Sequence, residues 1–189
     1  MPSREEANNL MCEWVLSESL RKHMWCVEAA MRAYAKKYGE DEEMWGIAGL
    51  LHDFDYEKYP TYDVTNKSGH PFEGVRHLQS LGYPDPVIKA ILGHALYSGV
   101  PRESQMAKCL FACDELGGFL VACAYMRPDK FESLAYESVK KKLKDKKFAA
   151  KVSREDIALG ITELGLSEKE HVNFVIGALQ NIQPQIFTP

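Results

Sequence analysis

Trp45-Gly46-Ile47-Ala48-Gly49-Leu50-Leu51-His52-Asp53 is an apolar run that ends on a histidine beside a carboxylate. Trp45, Ala48, Leu51 and His52 recur at the three- and four-residue spacing of one helix face. Asp41 supplies an N-cap, and the helix is expected to end near Tyr56, before a polar loop containing Pro60, Asn66 and Gly69. His52 and Asp53 then sit close to the C-terminal end of a helix with buried neighbours. A carboxylate there is costly without a partner, and imidazole plus carboxylate suit a divalent first-row cation. A helix-end hydrogen bond would account for the dipeptide alone, so further ligands must come from elsewhere in the chain.

The same spacing recurs almost throughout, and no stretch alternates long enough to suggest a sheet. Helices are expected over residues 4–16, from Ser17 as N-cap to Tyr38 with Gly39 as the stop, and from Pro71 to Leu81 with Gly82 beyond the end. A further helix runs from Pro86 to about His94, and the loop Tyr97-Ser98-Gly99-Val100-Pro101 separates it from a long helix over 104–126. Three more follow over 131–146, 153–164 and 167–181, the last opened by a capping box at Ser167-Glu168-Lys169-Glu170. The fold is expected to be all-α, a compact bundle of about nine helices. At 189 residues and 46% hydrophobic content the chain can bury one sizeable core. A single domain over 1–189 is expected, with 17–126 as the metal-site core and 131–189 as a C-terminal helical extension.

Apolar runs such as Ile47 to Leu51 fall far short of the roughly 18 residues a membrane span needs, so no transmembrane helix is expected. The start Met1-Pro2-Ser3-Arg4-Glu5-Glu6 mixes both charges and does not resemble a secretion signal. A cytoplasmic location follows as the expectation, with the five cysteines kept as thiols. Residues 140 to 154 hold eight Lys or Arg and one Asp, a local +7, so the net −4 leaves −11 for the rest. That balance argues against a nucleic-acid polymer or a membrane surface as partner. The basic stretch could close over a phosphate locally, or form a solvated helix face.

Additional donors are available in His23, in His70, in His94 and in Asp114. Asp114 follows Cys109, Leu110, Phe111, Ala112 and Cys113 and precedes Leu116, which directs it toward an interior cavity rather than water. The competing explanation is a polar stripe of Asp114 and Glu115. His77 lies two turns from His70 on nearly the same face, so spacing alone admits either. Asp55 is either a partner holding His52 or an exposed helix-end carboxylate. Cys109 and Cys113 share a face, but without a second pair they read as core packing. His171 reads as a surface residue.

The order His23, then Leu51-His52-Asp53, then Asp114 in Ala112-Cys113-Asp114-Glu115-Leu116, resembles the H…HD…D signature of HD-domain metal phosphohydrolases. His70 in His70-Pro71-Phe72-Glu73-Gly74 and His94 in Ile91-Leu92-Gly93-His94 match positions that bind a second metal in binuclear families of that group, and the first of these motifs favours His70 over His77. Gly82-Tyr83-Pro84 precedes His94, so it is not the GYP motif of the cyclic-dinucleotide phosphodiesterases. Leu51-His52-Asp53-Phe54-Asp55-Tyr56-Glu57, Asp114-Glu115-Leu116-Gly117-Gly118-Phe119, Met126-Arg127-Pro128 and Phe148-Ala149-Ala150-Lys151-Val152 resemble a small predicted-hydrolase branch, over most of the chain.

The resemblance implies one or two divalent ions, drawn from Fe, Mn, Zn, Co, Ni or Mg, with Asp53 bridging if two are bound. A bound metal lowers the pKa of water toward 7 and polarises a phosphoryl oxygen. The expected activity is hydrolysis of a phosphate ester of a small metabolite or nucleotide, with His52 and Asp53 at the catalytic centre. The rival is a metal-binding or ligand-sensing module without turnover. Lys58, Tyr59, Tyr97 and Arg102 lie in segments flanking the proposed ligands and are candidate substrate contacts.

Overall fold

The computed structural model describes residues 1–187. Of the expected extension over 131–189, residues 188 and 189 therefore lie outside the described ones. The chain runs through α1 (Arg4–Trp14), α2 (Glu18–Tyr38), α3 (Glu42–Leu51), α4 (Phe72–Ser80), α5 (Asp85–His94), α6 (Gln105–Tyr125), α7 (Tyr136–Lys144), α8 (Arg154–Leu164), α9 (Glu168–Gln180) and α10 (Gln183–Phe187). The fold is all-α, with nine helices of nine residues or more among the described residues and a five-residue tenth. None is long and apolar enough to cross a membrane.

Local chemistry fixes the ends that place the site. Ser17 Oγ accepts from Leu20 N–H to start α2, and Gly39 stops it in the left-handed region at φ 71°. The Asp41 carboxylate accepts from Glu43 and Met44 N–H and starts α3. α2 and α3 pack intimately because Gly49 has no Cβ, and one built there would fall 2.9 Å from the Val27 carbonyl. α6 is buried on nearly all sides and packs against α2, α5 and α8. It is the central helix, as apolar residues around its whole circumference require. Each fully buried Leu or Phe, such as Leu110, Leu116 and Phe119, adds about 1.5–3 kcal/mol to that packing.

The structure departs from the sequence expectations at several edges. α3 ends at Leu51, and residues 52–58 continue as turns. The polar loop contains a two-stranded antiparallel pair, Tyr62–Asp63 with Ser68–Gly69, too short to show alternation. A 3-10 turn, Leu96–Ser98, occupies the loop after α5. α7 begins at Tyr136 instead of 131, and Phe131, buried ahead of it, donates its N–H to Gln183 Oε1 at 2.7 Å. The capping box at α9 is half formed. Ser167 Oγ accepts from Glu170 N–H, but the Glu170 carboxylate pairs with Lys37 Nζ at 3.1 Å. The complete box is at Ser3 and Glu6.

Candidate metal centre

Five segments of the chain deliver the donor atoms. His23 projects from α2, His52 and Asp53 follow the last turn of α3, His94 ends α5, and Asp114 comes from the middle of α6. His70 precedes α4. His23 Nε2 lies 3.1 Å from Asp114 Oδ1, 3.2 Å from His52 Nε2 and 3.7 Å from Asp53 Oδ2. His52 Nε2 is 3.4 Å from both Asp53 Oδ2 and Asp114 Oδ1. On the other oxygen of the same carboxylate, His70 Nε2 and His94 Nε2 each lie 3.3 Å from Asp53 Oδ1 and 3.2 Å from one another. The chain thus forms two groups that could hold a metal ion, His23, His52, Asp53 and Asp114, and Asp53, His70 and His94.

The distances fit a cation. Two donors about 2.1 Å from one ion stand ~3.0 Å apart at a right angle and ~3.4 Å apart at the tetrahedral angle. The pairs just described span 3.1 to 3.7 Å.

Hydrogen bonding settles which ring nitrogens face inward. His52 Nδ1 donates to the Gly49 carbonyl at 2.8 Å, and His94 Nδ1 donates to the Ile91 carbonyl. A carbonyl can only accept, so both rings carry a proton on Nδ1 and, when neutral, offer a lone pair at Nε2. His70 Nδ1 donates to Asp55 Oδ1 at 2.7 Å, which leaves its Nε2 in the same state. Two lone pairs, on His70 and His94, therefore face each other at 3.2 Å, an arrangement that needs positive charge between them.

The electrostatics agree. Burial works against charge on His52, yet Asp53 and Asp114 outweigh it and hold the imidazole well above its ordinary value. Burial would raise both carboxyls, but His52 holds Asp53 and Asp114 below the usual carboxylate range. The cluster demands cations, whether protons or metal.

Asp55 is neither exposed nor a partner of His52. It is buried, holds His70, and accepts from Gly74 N–H at 2.7 Å with its other oxygen. Gly74 is needed for that approach, since a Cβ there would meet Asp55 Cγ at 2.6 Å. His77 packs instead against Trp14, with ring centroids 4.7 Å apart. His171 is fully buried rather than superficial. Tyr34 O–H donates to its Nδ1 at 2.5 Å, and its Nε2–H donates to the Ala112 carbonyl at 3.0 Å, two residues before Asp114. Cys109 and Cys113 are buried in the core, and burial pushes the Cys109 thiol up to about 12.

The donor groups open on a cavity of about 470 Å³. Of the expected substrate contacts, only Tyr97 lines it, with its hydroxyl donating to the His70 carbonyl at 3.1 Å. Lys58 lies over the Trp14 ring, 3.8 Å from its centroid. Tyr59 uses its carbonyl to accept from His70 N–H. The Arg102 guanidinium is spent on both Glu163 oxygens, at 2.7 and 2.6 Å, and on the Gly93 carbonyl. The basic stretch contributes no cation to the lining, since Arg154 donates to the carbonyls of Phe148, Ala149 and Val152. Tyr56 opens the loop expected to flank the ligands and does line the cavity, whereas sequence reasoning missed Phe111, Glu115 and Asp156 as cavity residues. Burial and the neighbouring Asp114 push the Glu115 carboxyl up to about 7, against a hydrogen bond from Ser153 N–H. Its adjacency to Asp114 was the one available signal.

The family model described as the HD domain matches residues 20–117. No curated protein and no solved structure matches the chain.

Proposed function

The chain belongs to the HD-domain family, and from that premise we propose that it is a metal-dependent phosphohydrolase acting on a phosphate ester of a small metabolite or nucleotide. His23, His52, Asp53 and Asp114 would hold one divalent ion and Asp53, His70 and His94 a second, with Asp53 shared. The observation that carries the reading is the pair of Nε2 lone pairs of His70 and His94, 3.2 Å apart over one Asp53 oxygen. Bound divalent cations would supply a water nucleophile at neutral pH and polarise a phosphoryl oxygen.

The protein's own groups supply rigidity and access. Backbone carbonyls of Gly49 and Ile91 and the Asp55 carboxylate lock three imidazoles with Nε2 inward, so little reorganisation is needed to receive an ion. The three donors Asp53, His70 and His94 would leave positions for water and substrate even on a four-coordinate ion, and the four of the other group would do so on a six-coordinate one. Those positions face a cavity, and this favours turnover over a closed structural metal.

The test is to strip the protein, reload it in turn with Mn, Fe, Co, Ni, Zn and Mg, and measure metal content and hydrolysis of a panel of phosphate esters. About two equivalents per chain with turnover is the expected result. Two equivalents with no turnover of any ester would favour the sensing module, and no retained metal would remove the reading.

A further inference from the structure

The cavity beside the donor groups has one sign of charge. Beyond the donor residues its ionisable wall is Glu115 and Asp156, its aromatic wall is Tyr56, Tyr97 and Phe111, and no Lys or Arg is among the described lining residues. Asp156 stands in the first turn of α8 with its N–H on Ser153 Oγ, and its carboxylate has no protein partner among the described residues. Glu115 accepts from Ser153 N–H through Oε2 alone, leaving Oε1 free.

Two divalent ions held by Asp53 and Asp114 retain a net charge of about two. One phosphate monoester, about −1.5 to −2 at pH 7, cancels it. A second or third phosphate on the same substrate would then meet Glu115 and Asp156 with no cationic side chain to receive it. An ammonium group would find the unpartnered Asp156 carboxylate, the free Oε1 of Glu115 as a further acceptor, and aromatic faces suited to a cation. A cavity of about 470 Å³ also lies toward the small end for ligand sites.

Resting on the phosphohydrolase reading above, we propose that the substrate is a small phosphomonoester with a cationic amine at its far end, the amine being recognised by Asp156 and Glu115 together with the aromatic wall. Asp156 and Glu115 are then specificity residues, and polyphosphorylated nucleotides are excluded.

The test uses the full chain saturated with Mn²⁺ and two non-hydrolysable probes of equal length, 3-aminopropylphosphonate and butylphosphonate, which differ by an ammonium in place of a methyl. Calorimetric titration should show the amine binding tighter by about tenfold or more. Asp156→Asn, and separately Glu115→Gln, should narrow that gap, with circular dichroism confirming that each variant is folded. Equal or tighter binding of butylphosphonate, or a gap unchanged in both folded variants, overturns the inference. If that happens while p-nitrophenyl phosphate is still hydrolysed, the phosphohydrolase reading stands without it. If neither phosphonate binds and no ester is turned over, both fall.

Discussion

His70 Nδ1 donates to the buried carboxylate of Asp55 at 2.7 Å, and that single bond decides which face of the imidazole meets Asp53. Without it the ring could present either nitrogen, and Nε2 would no longer be fixed as an acceptor. Asp55→Asn should therefore weaken the second ion by about 10–100-fold while leaving the first in place. Metal titration of the stripped variant checks this. Loss of both ions together would mean that Asp55 supports the whole cluster, and loss of neither that an amide oxygen at this position orients His70 as well as the carboxylate does.

Gly74 gives an independent handle on the same contact. Its missing Cβ leaves room for Asp55, and Gly74→Ala would place a methyl 2.6 Å from Asp55 Cγ and 2.8 Å from the Phe54 ring. Neither neighbour is free to move, since Asp55 is hydrogen-bonded at both oxygens and Phe54 is fully buried. The expected cost is about 1–3 kcal/mol of stability, with second-ion affinity falling as in Asp55→Asn. Chemical denaturation and metal titration of one preparation check both. A variant as stable as the parent would show that the loop before α4 yields easily.

The His52-Asp53 pair and Asp114 were legible because they announce themselves locally, whereas His23, His70 and His94 rested on the family resemblance. A histidine beside a carboxylate at the end of an apolar run, and a carboxylate inside the apolar α6, are each anomalous within a few residues of sequence. Partners that depend on tertiary contacts were not legible. Asp55 reaches His70 across 15 positions, and His171 reaches Tyr34 across 137. His171 sits beside charged Glu168, Lys169 and Glu170, so its neighbours read as surface although its own face of α9 packs inward. Arg102 and Lys58 misled for the converse reason. They flank the site in sequence, but Glu163 and the Trp14 ring claim them.

Asp53 is the one residue common to both donor groups, so its loss should be more severe than that of any histidine. Asp53→Ala is expected to retain less than one metal equivalent and to abolish hydrolysis, because it removes a donor from each group. The helical fold should survive. Removing this carboxylate from the stripped protein leaves His52 with Asp114 as its remaining counter-charge, so a moderate loss of stability is expected there. The metal-dependent part of stability should also vanish. An ion at 100 times its dissociation constant stabilises the parent by about 2.7 kcal/mol, and the variant should show no such increment. Thermal melts of parent and variant with and without Mn²⁺ read this directly. A folded Asp53→Ala protein with near-normal turnover would place the chemistry elsewhere.

His171 gives a pH prediction that metal occupancy does not enter if stripped protein is used. Burial lowers its pKa from the ordinary 6.5 to about 4, although its bond to the Ala112 carbonyl pulls the other way. The ring is held neutral, receiving the Tyr34 hydroxyl proton at Nδ1 and donating from Nε2. Above pH 6.5 both folded and unfolded chains carry it neutral and its contribution is complete. Below that value the unfolded chain binds a proton that the folded chain refuses, so stability falls as pH drops from 6.5 toward 4. The loss approaches ~1.4 kcal/mol per pH unit within that window. His171→Gln, which cannot titrate, should thus cost most near pH 7.5, and its disadvantage should shrink by about 2 kcal/mol on going to pH 5. Urea unfolding of both proteins at the two pH values measures that difference, and the carboxylates common to both cancel from it. A penalty independent of pH would mean that the ring titrates alike in folded and unfolded chains, and that its link between α9 and the carbonyl two residues before Asp114 does not rest on neutrality.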